Sequence, residues 1–119
     1  MTERLDRVSE ELREILAWEI GRLKDPRLGF VTVTGVRVTA DLRKARVFYT
    51  VLGDDAARKG TRAALRSARS HLRAVLGKEV RIKFVPDLEF EEDTELERAR
   101  RVDELLERIH EREGGGGEG

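Results

Sequence analysis

The spacing of apolar residues alternates along this chain between the period of a helix and the period of a strand. Near the start, seven apolar residues recur at steps of three or four: Leu5, Val8, Leu12, Ile15, Leu16, Ile20 and Leu23. They predict an amphipathic helix from about Arg4 to Leu23, which Asp25-Pro26 ends. From Phe30 to Val38 the pattern alternates and is rich in β-branched residues, which predicts a strand. The valines change parity across Gly35, so we expect a β-bulge there.

The middle of the chain is predicted to contain a second strand, a second helix and a third strand. Four alternating residues predict a second strand, antiparallel to the first because the link is short: Ala45, Val47, Tyr49 and Val51. A helix then begins after Asp54 or Asp55 as N-cap and runs to about Leu76, where Gly77 is predicted to stop it. Val80, Ile82 and Phe84 alternate with Arg81 and Lys83, which predicts a third strand ended by Pro86.

A last helix is predicted to begin at Thr94, where Glu97 completes a capping box. Its apolar stripe comprises Val102, Leu105, Leu106 and Ile109. The predicted order is therefore α-β-β-α-β-α, an α+β fold with a three-stranded sheet backed by helices. A chain of 119 residues supports one core, so we expect a single domain over residues 1–110 and a disordered glycine-rich tail over residues 111–119.

The charge of the chain is unevenly distributed. The total is zero, with 24 Lys and Arg against 24 Asp and Glu. Residues 37–83 nevertheless carry thirteen basic against four acidic side chains, about +9, and residues 84–119 carry five against thirteen, about −8. A basic centre of this kind indicates contact with a polyanion.

Much of that basic charge lies along the middle helix. Five arginines step by four, four, three and four residues: Arg58, Arg62, Arg66, Arg69 and Arg73. At about 100° per residue they fall within about 80° of one another, so we expect a stripe that binds a phosphate backbone. Lys78, Arg81 and Lys83 are expected to enlarge it. The alternatives are a solvated helix face, pairing with the acidic last helix, or docking of an acidic protein partner.

Catalytic and metal chemistry has little support in these residues. There is no cysteine, and His71 and His110 lack the paired spacing of a metal site. Ser70 and His71 are adjacent, so on a helix they point about 100° apart and cannot act as nucleophile and base. We therefore expect no enzyme, no cofactor, no metal and no small-molecule substrate. No secretion signal or membrane-spanning apolar run is found, so we expect a cytoplasmic protein without membrane contact.

Several segments, in order along the chain, resemble a known family. They are Arg4-Leu5-Asp6-Arg7-Val8, Asp25-Pro26-Arg27, Val31-Thr32-Val33-Thr34-Gly35-Val36, Asp41-Leu42-Arg43-Lys44-Ala45-Arg46-Val47, and Val85-Pro86-Asp87-Leu88-Glu89-Phe90 with Asp93. Together they resemble ribosome-binding factor A from about Arg4 to Leu106. The resemblance implies a KH-like domain of the bacterial topology that binds 16S rRNA on the free 30S subunit. It also implies a role in late subunit maturation and processing of the 16S precursor, near the 5′-terminal helix, and in growth in the cold. We expect a monomer.

Two departures from nucleic-acid-binding relatives concern the middle helix. The Gly-x-x-Gly loop of an ordinary KH domain is missing, since Gly77-Lys78-Glu79-Val80 ends in valine. The family also has an Ala-x-Gly kink, which aligns with Ala68-Arg69-Ser70, where serine replaces the glycine. A serine hydroxyl can still bend a helix, so we expect a softer kink at Ala68 and Ser70, or a straighter helix.

Overall fold

The computed structural model describes residues 2–94, 103 and 105–109. Helix α1 spans Thr2–Gly21 and buries Leu12, Leu16 and Ile20, as the helical spacing predicts. Just beyond Gly21 the backbone forms tightened turn bonds from Arg22 N to Glu19 O and from Leu23 N to Ile20 O. The helix therefore ends two residues earlier than predicted.

The first two strands form the predicted antiparallel pair. Strand β1 spans Phe30–Val38 and strand β2 spans Lys44–Leu52. Their register shifts between Val33 and Gly35, which confirms the bulge. The bulge lets Val33 and Val38 both face the core although they are an odd number of residues apart.

Helix α2 spans Asp55–Glu79 and is capped by Asp54, whose carboxylate accepts a hydrogen bond from Ala57 N at 2.9 Å. The prediction that Gly77 stops this helix is wrong, because the helix continues for two more residues. Gly77 instead permits a close approach: a Cβ at this position would lie 3.2 Å from Val85 Cγ2 in the chain that returns to the sheet. The helix runs through Ala68-Arg69-Ser70 without interruption. The kink at Ala68 and Ser70 stays a prediction.

The third strand lies later in the chain than predicted. Strand β3 spans Asp87–Glu92, whereas Val80 to Phe84, including Arg81 and Lys83, form the loop that leads to it. Val80 is buried without belonging to a strand, so burial alone accounts for its apolar character. Strand β3 pairs with β2 in parallel, with Lys44 opposite Asp87 and Tyr49 opposite Glu92. A parallel pairing requires a crossover, which α2 provides.

Both helices pack against one face of the sheet, whose order is β1-β2-β3. The core combines side chains from every element: Leu12, Leu16, Ile20, Val33, Val38, Ala45, Val47, Tyr49, Leu65, Leu72, Leu76, Val80 and Leu88. Asp103 and residues 105–109 are helical, which completes the predicted order α-β-β-α-β-α. Glu97, Val102 and His110, for which the sequence made predictions, lie outside the described residues, as does the tail over residues 111–119.

Candidate RNA-binding surface

The arginine stripe predicted on α2 occupies one side of an unbroken helix. Since α2 is continuous from Asp55 to Glu79, the helical period brings all five guanidinium groups to neighbouring positions on one side. Arg62, Arg66 and Arg69 are exposed, whereas Arg58 and Arg73 at the two ends are partly buried. The stripe therefore has an open middle and two enclosed ends.

Arg58 is held by carboxylates of the same molecule. Its Nε donates a hydrogen bond to Glu92 Oε2 at 2.6 Å, and its Nη1 lies 3.5 Å from Asp55 Oδ1. The hydrogen bond to Glu92 raises the pKa of Arg58 above its ordinary value. Arg58 thus fastens the first turns of α2 to the end of β3.

Arg73 fastens the other end. Its Nε and Nη2 donate hydrogen bonds to the carbonyl oxygens of Pro86 and Val85 at 3.2 and 3.0 Å. Its Nη2 also lies 3.6 Å from Asp87 Oδ1. Arg73 therefore holds the loop that enters β3 against the last third of α2.

The three middle arginines are different. Among the residues that the structure describes, no carboxylate lies within ion-pair distance of Arg62, Arg66 or Arg69. Arg62 is close enough to Tyr49 to affect its pKa. Burial and the charge of Glu92 raise the pKa of the Tyr49 phenol, and Arg62 acts to lower it. Like charges this close repel each other, so an anion at this surface would be stabilised.

The remaining predicted residues lie beyond the stripe. Lys78 is exposed on the last turn of α2, but its position on the helix is about 140° from that of Arg73. Arg81 and Lys83 are exposed in the loop between α2 and β3. Arg81 and Lys83 thus belong to the loop whose later residues Val85 and Pro86 are bound by Arg73, and Lys78 lies on another side of α2.

The opposite face of the sheet carries paired charges. Lys44 Nζ lies 3.5 Å from Glu89 Oε2, and Nε and Nη2 of Arg46 both donate to Glu91 Oε2. Glu92 binds Arg58 and Asp87 lies near Arg73, so within the described residues the carboxylates of strand β3 are paired with four cations of the basic centre. The carboxylates of β3 therefore neutralise part of the basic charge, and Arg62, Arg66 and Arg69 in the exposed middle of α2 are among the cations that they leave unpaired.

The sequence reasoning overlooked one cationic cluster. Arg43, in the turn between β1 and β2, lies over the ring of Phe84, with 4.8 Å from Cζ to the ring centroid. Lys83 Nζ lies 5.6 Å from the same centroid. Phe84 was predicted to face the core, and no local pattern links it to Arg43, which is 41 residues earlier.

Other kinds of site find little support in the described part of the chain. Within residues 2–94, 103 and 105–109, no three His, Cys, Asp or Glu side chains are grouped as a metal site requires. His71 Nε2 lies 3.9 Å from Glu19 Oε1, a contact between two helices. Over the same residues, neither helix combines the length and the apolar character that crossing a membrane demands.

Comparison with known proteins matches this chain to one family. The family model described as Ribosome-binding factor A matches residues 4–106. Ribosome-binding factor A from Geobacter sulfurreducens is 44% identical over 115 residues, which cover 96% of this chain and 98% of that protein. The protein from Acidothermus cellulolyticus is 49% identical over 106 residues, which cover 88% of this chain and 71% of that one.

Comparison of the fold with known structures matches the same family. The crystal structure of ribosome-binding factor A from Thermus thermophilus superposes with a TM-score of 0.67 at 33% identity, covering 74% of this chain and 94% of that chain. A homology model of the Thermus thermophilus protein, fitted into the cryo-electron microscopy map of its complex with the 30S subunit, gives a TM-score of 0.63 at 33% identity. That match covers 73% of this chain and 92% of the other.

Proposed function

The chain belongs to the ribosome-binding factor A family, and on this premise we propose that it binds the free 30S subunit through the basic side of α2 and assists late maturation. It contacts 16S rRNA near the 5′-terminal helix and promotes processing of the precursor without making or breaking a bond. It acts in the cytoplasm as a monomer and needs no cofactor. The fit of a Thermus thermophilus relative into a 30S complex supports the choice of partner.

One observation carries the proposal. Arg62, Arg66 and Arg69 are exposed together, and none is paired with a carboxylate of the described residues. They extend over about 10 Å of the helix axis, at about 1.5 Å per residue, which is enough to reach more than one phosphate of an RNA strand. Guanidinium groups bind phosphate oxygens in pairs and release condensed counterions, so this side of α2 favours RNA.

The two end arginines have a different part in the same surface. The side chains of Arg58 and Arg73 remain 40% and 41% exposed while they hold β3 and its loop. Their positive charge still adds to the potential at the middle of the helix. We assign them to positioning the surface and to long-range attraction, and we assign direct phosphate contact to the middle three.

Co-sedimentation with purified free 30S subunits tests the proposal. Replacing Arg62, Arg66 and Arg69 by glutamate removes three cations and adds three anions, and we expect affinity to fall by about ten-fold or more. The matched control replaces Arg7, Arg22 and Arg37 by glutamate; these residues are exposed and have no ion-pair partner within the described segments. The control changes the net charge by the same amount as the first variant. Undiminished binding by the first variant, or equal loss by both, would contradict the proposal.

A further inference from the structure

The cluster of Arg43, Lys83 and Phe84 lies where the turn between β1 and β2 meets the loop before β3. The guanidinium of Arg43 lies over the Phe84 ring at 4.8 Å, and the ammonium of Lys83 lies 5.6 Å from the ring centroid. Phe84 remains 42% exposed. A cation over an aromatic face is attracted by the ring quadrupole, so the two cations and the ring form one unit at the surface.

The backbone on both sides of this unit is held in place. Asp87 N donates a hydrogen bond to Arg43 O at 2.8 Å, and Arg43 N donates one to Asp41 Oδ1 at 3.1 Å. Leu42, just before Arg43, has a φ of 62°, a left-handed conformation that the turn imposes on a residue with a side chain. The Phe84 side is held by Arg73, which binds the carbonyl oxygen of Val85. Because both backbone segments are already held, binding a ligand here costs little conformational entropy.

The charge of the unit is largely unbalanced. Within the described residues, neither Arg43 nor Lys83 has a carboxylate at ion-pair distance, and exposed Arg81 is two positions from Lys83. The nearby carboxylate of Asp41 accepts hydrogen bonds from Thr39 Oγ1 and from the Arg43 backbone. These contacts lower the pKa of Asp41. Arg43 is exposed while its Cζ lies over the Phe84 ring, so its guanidinium remains accessible to a ligand.

We propose that Arg43, supported by Phe84, is a stacking site for an unpaired RNA base, with Lys83 beside it to bind the adjoining phosphate. This proposal rests on the proposed function and extends its surface to a second contact. A planar guanidinium stacks on bases. The Phe84 ring lies within cation–π distance of Arg43 and helps to hold the guanidinium at this position. Arg73 joins the loop that carries Lys83 and Phe84 to α2, so the proposed stacking site and the arginine stripe belong to connected parts of the structure. The base must be unpaired, since a base within a duplex is covered on both faces.

Fluorescence anisotropy with the full chain tests the site. The probes are a labelled single-stranded RNA of ten uridines and a blunt RNA duplex of twelve base pairs, at the same salt concentration. Arg43→Lys keeps the charge and removes the plane, and Phe84→Ala removes the support. Stacking of one base corresponds to about five-fold to a hundred-fold in affinity, so we expect both variants to weaken single-strand binding by about five-fold or more. Duplex binding should change by less than about two-fold.

Two control variants separate stacking from charge and from folding. Phe84→Tyr keeps the ring and should bind the single strand like the unsubstituted chain. Arg22→Lys makes the same chemical change just beyond the C-terminal end of α1 and should have no effect. If either Arg43→Lys or Phe84→Ala binds the single strand normally, or loses both probes equally, the stacking site is overturned. The same holds if the unsubstituted chain does not bind the single strand.

These outcomes are distinct from failure of the proposed function. A normal single-strand affinity for Phe84→Ala, together with loss of 30S binding by the glutamate variant of α2, would remove the stacking site and leave the function. Normal 30S binding by the glutamate variant would remove the proposed function, and the anisotropy series would still decide whether Arg43 stacks a base.

Discussion

Arg66 and Arg73 lie seven residues apart on the same stripe, yet the structure gives them different roles. Arg66 is exposed and lies beyond ion-pair distance of every carboxylate in the described ranges. Arg73 donates two hydrogen bonds to backbone carbonyls that lead into β3. Replacing each by glutamine, which is polar, neutral and shorter, should therefore disturb RNA binding in one case and folding in the other.

The expected magnitudes follow from these contacts. A hydrogen bond from a charged donor stabilises by about 1.5–3 kcal/mol when desolvated. The Arg73 side chain is 41% exposed, so we discount each of its two bonds to about 1 kcal/mol. Arg73→Gln should then lower the free energy of unfolding by about 2 kcal/mol, and the melting temperature by roughly 6–12 °C for a domain of this size. Arg66→Gln should stay within about 0.5 kcal/mol.

Two measurements check the contrast. Urea unfolding followed by circular dichroism gives the stabilities. The salt dependence of RNA affinity gives the number of phosphates contacted, and Arg66→Gln should reduce its logarithmic slope by about 0.7–0.9. Equal stability losses in the two variants, or a fully stable Arg73→Gln chain, would refute the division of the stripe into contacting and positioning arginines.

Three further predictions concern pH, packing and the kind of partner. Arg27 lowers the pKa of Asp25 to about 2 through its side-chain and backbone hydrogen bonds, so the stabilisation is complete above about pH 4 and is lost as the pH falls through about 2. Asp25→Asn should therefore show a smaller loss of stability over that interval in urea unfolding, and an equal loss would contradict this. A Cβ at Gly60 would lie 2.7 Å from Arg27 O, so overpacking of about 1–3 kcal/mol should exceed the helix-propensity gain of at most about 1 kcal/mol in Gly60→Ala. In Gly77→Ala the new Cβ meets only a methyl group of Val85 at 3.2 Å, so its free energy of unfolding should lie within about 0.5 kcal/mol of that of the unsubstituted chain. Thermal melts in which Gly77→Ala is the less stable of the two variants would count against the packing argument. The affinity for 30S subunits should fall steeply as the salt concentration rises, and RNase treatment should release the protein. A complex between α2 and an acidic protein would persist after RNase treatment.

Most of the secondary structure could be predicted from local patterns. The period of α1, the bulge at Gly35 and an N-cap at Asp54 or Asp55 each depend on residues close together in the sequence. The structure confirms the first two and selects Asp54 as the cap. Strand β3 was placed wrongly because Val80, Ile82 and Phe84 alternate as convincingly as any strand, while Asp87–Glu92 contains four acidic residues. Acidic residues are unfavourable in isolated strands, and here their pairing with Lys44 and Arg46 of β2 compensates.

The same division applies to the candidate surface. Spacing alone predicts that five arginines share one side of α2, because the helical period is a local property of the backbone. Which of them remain open to a ligand depends on Glu92 and on the carbonyl oxygens of Val85 and Pro86, which folding brings beside Arg58 and Arg73 from 34 and up to 13 residues away. The cation–π contact between Arg43 and Phe84 likewise exists only after two loops that are distant in sequence meet. Local sequence determines the side of a helix or strand on which a side chain lies, because the backbone period is local. The tertiary structure determines which groups that side chain contacts, because those groups come from distant parts of the chain.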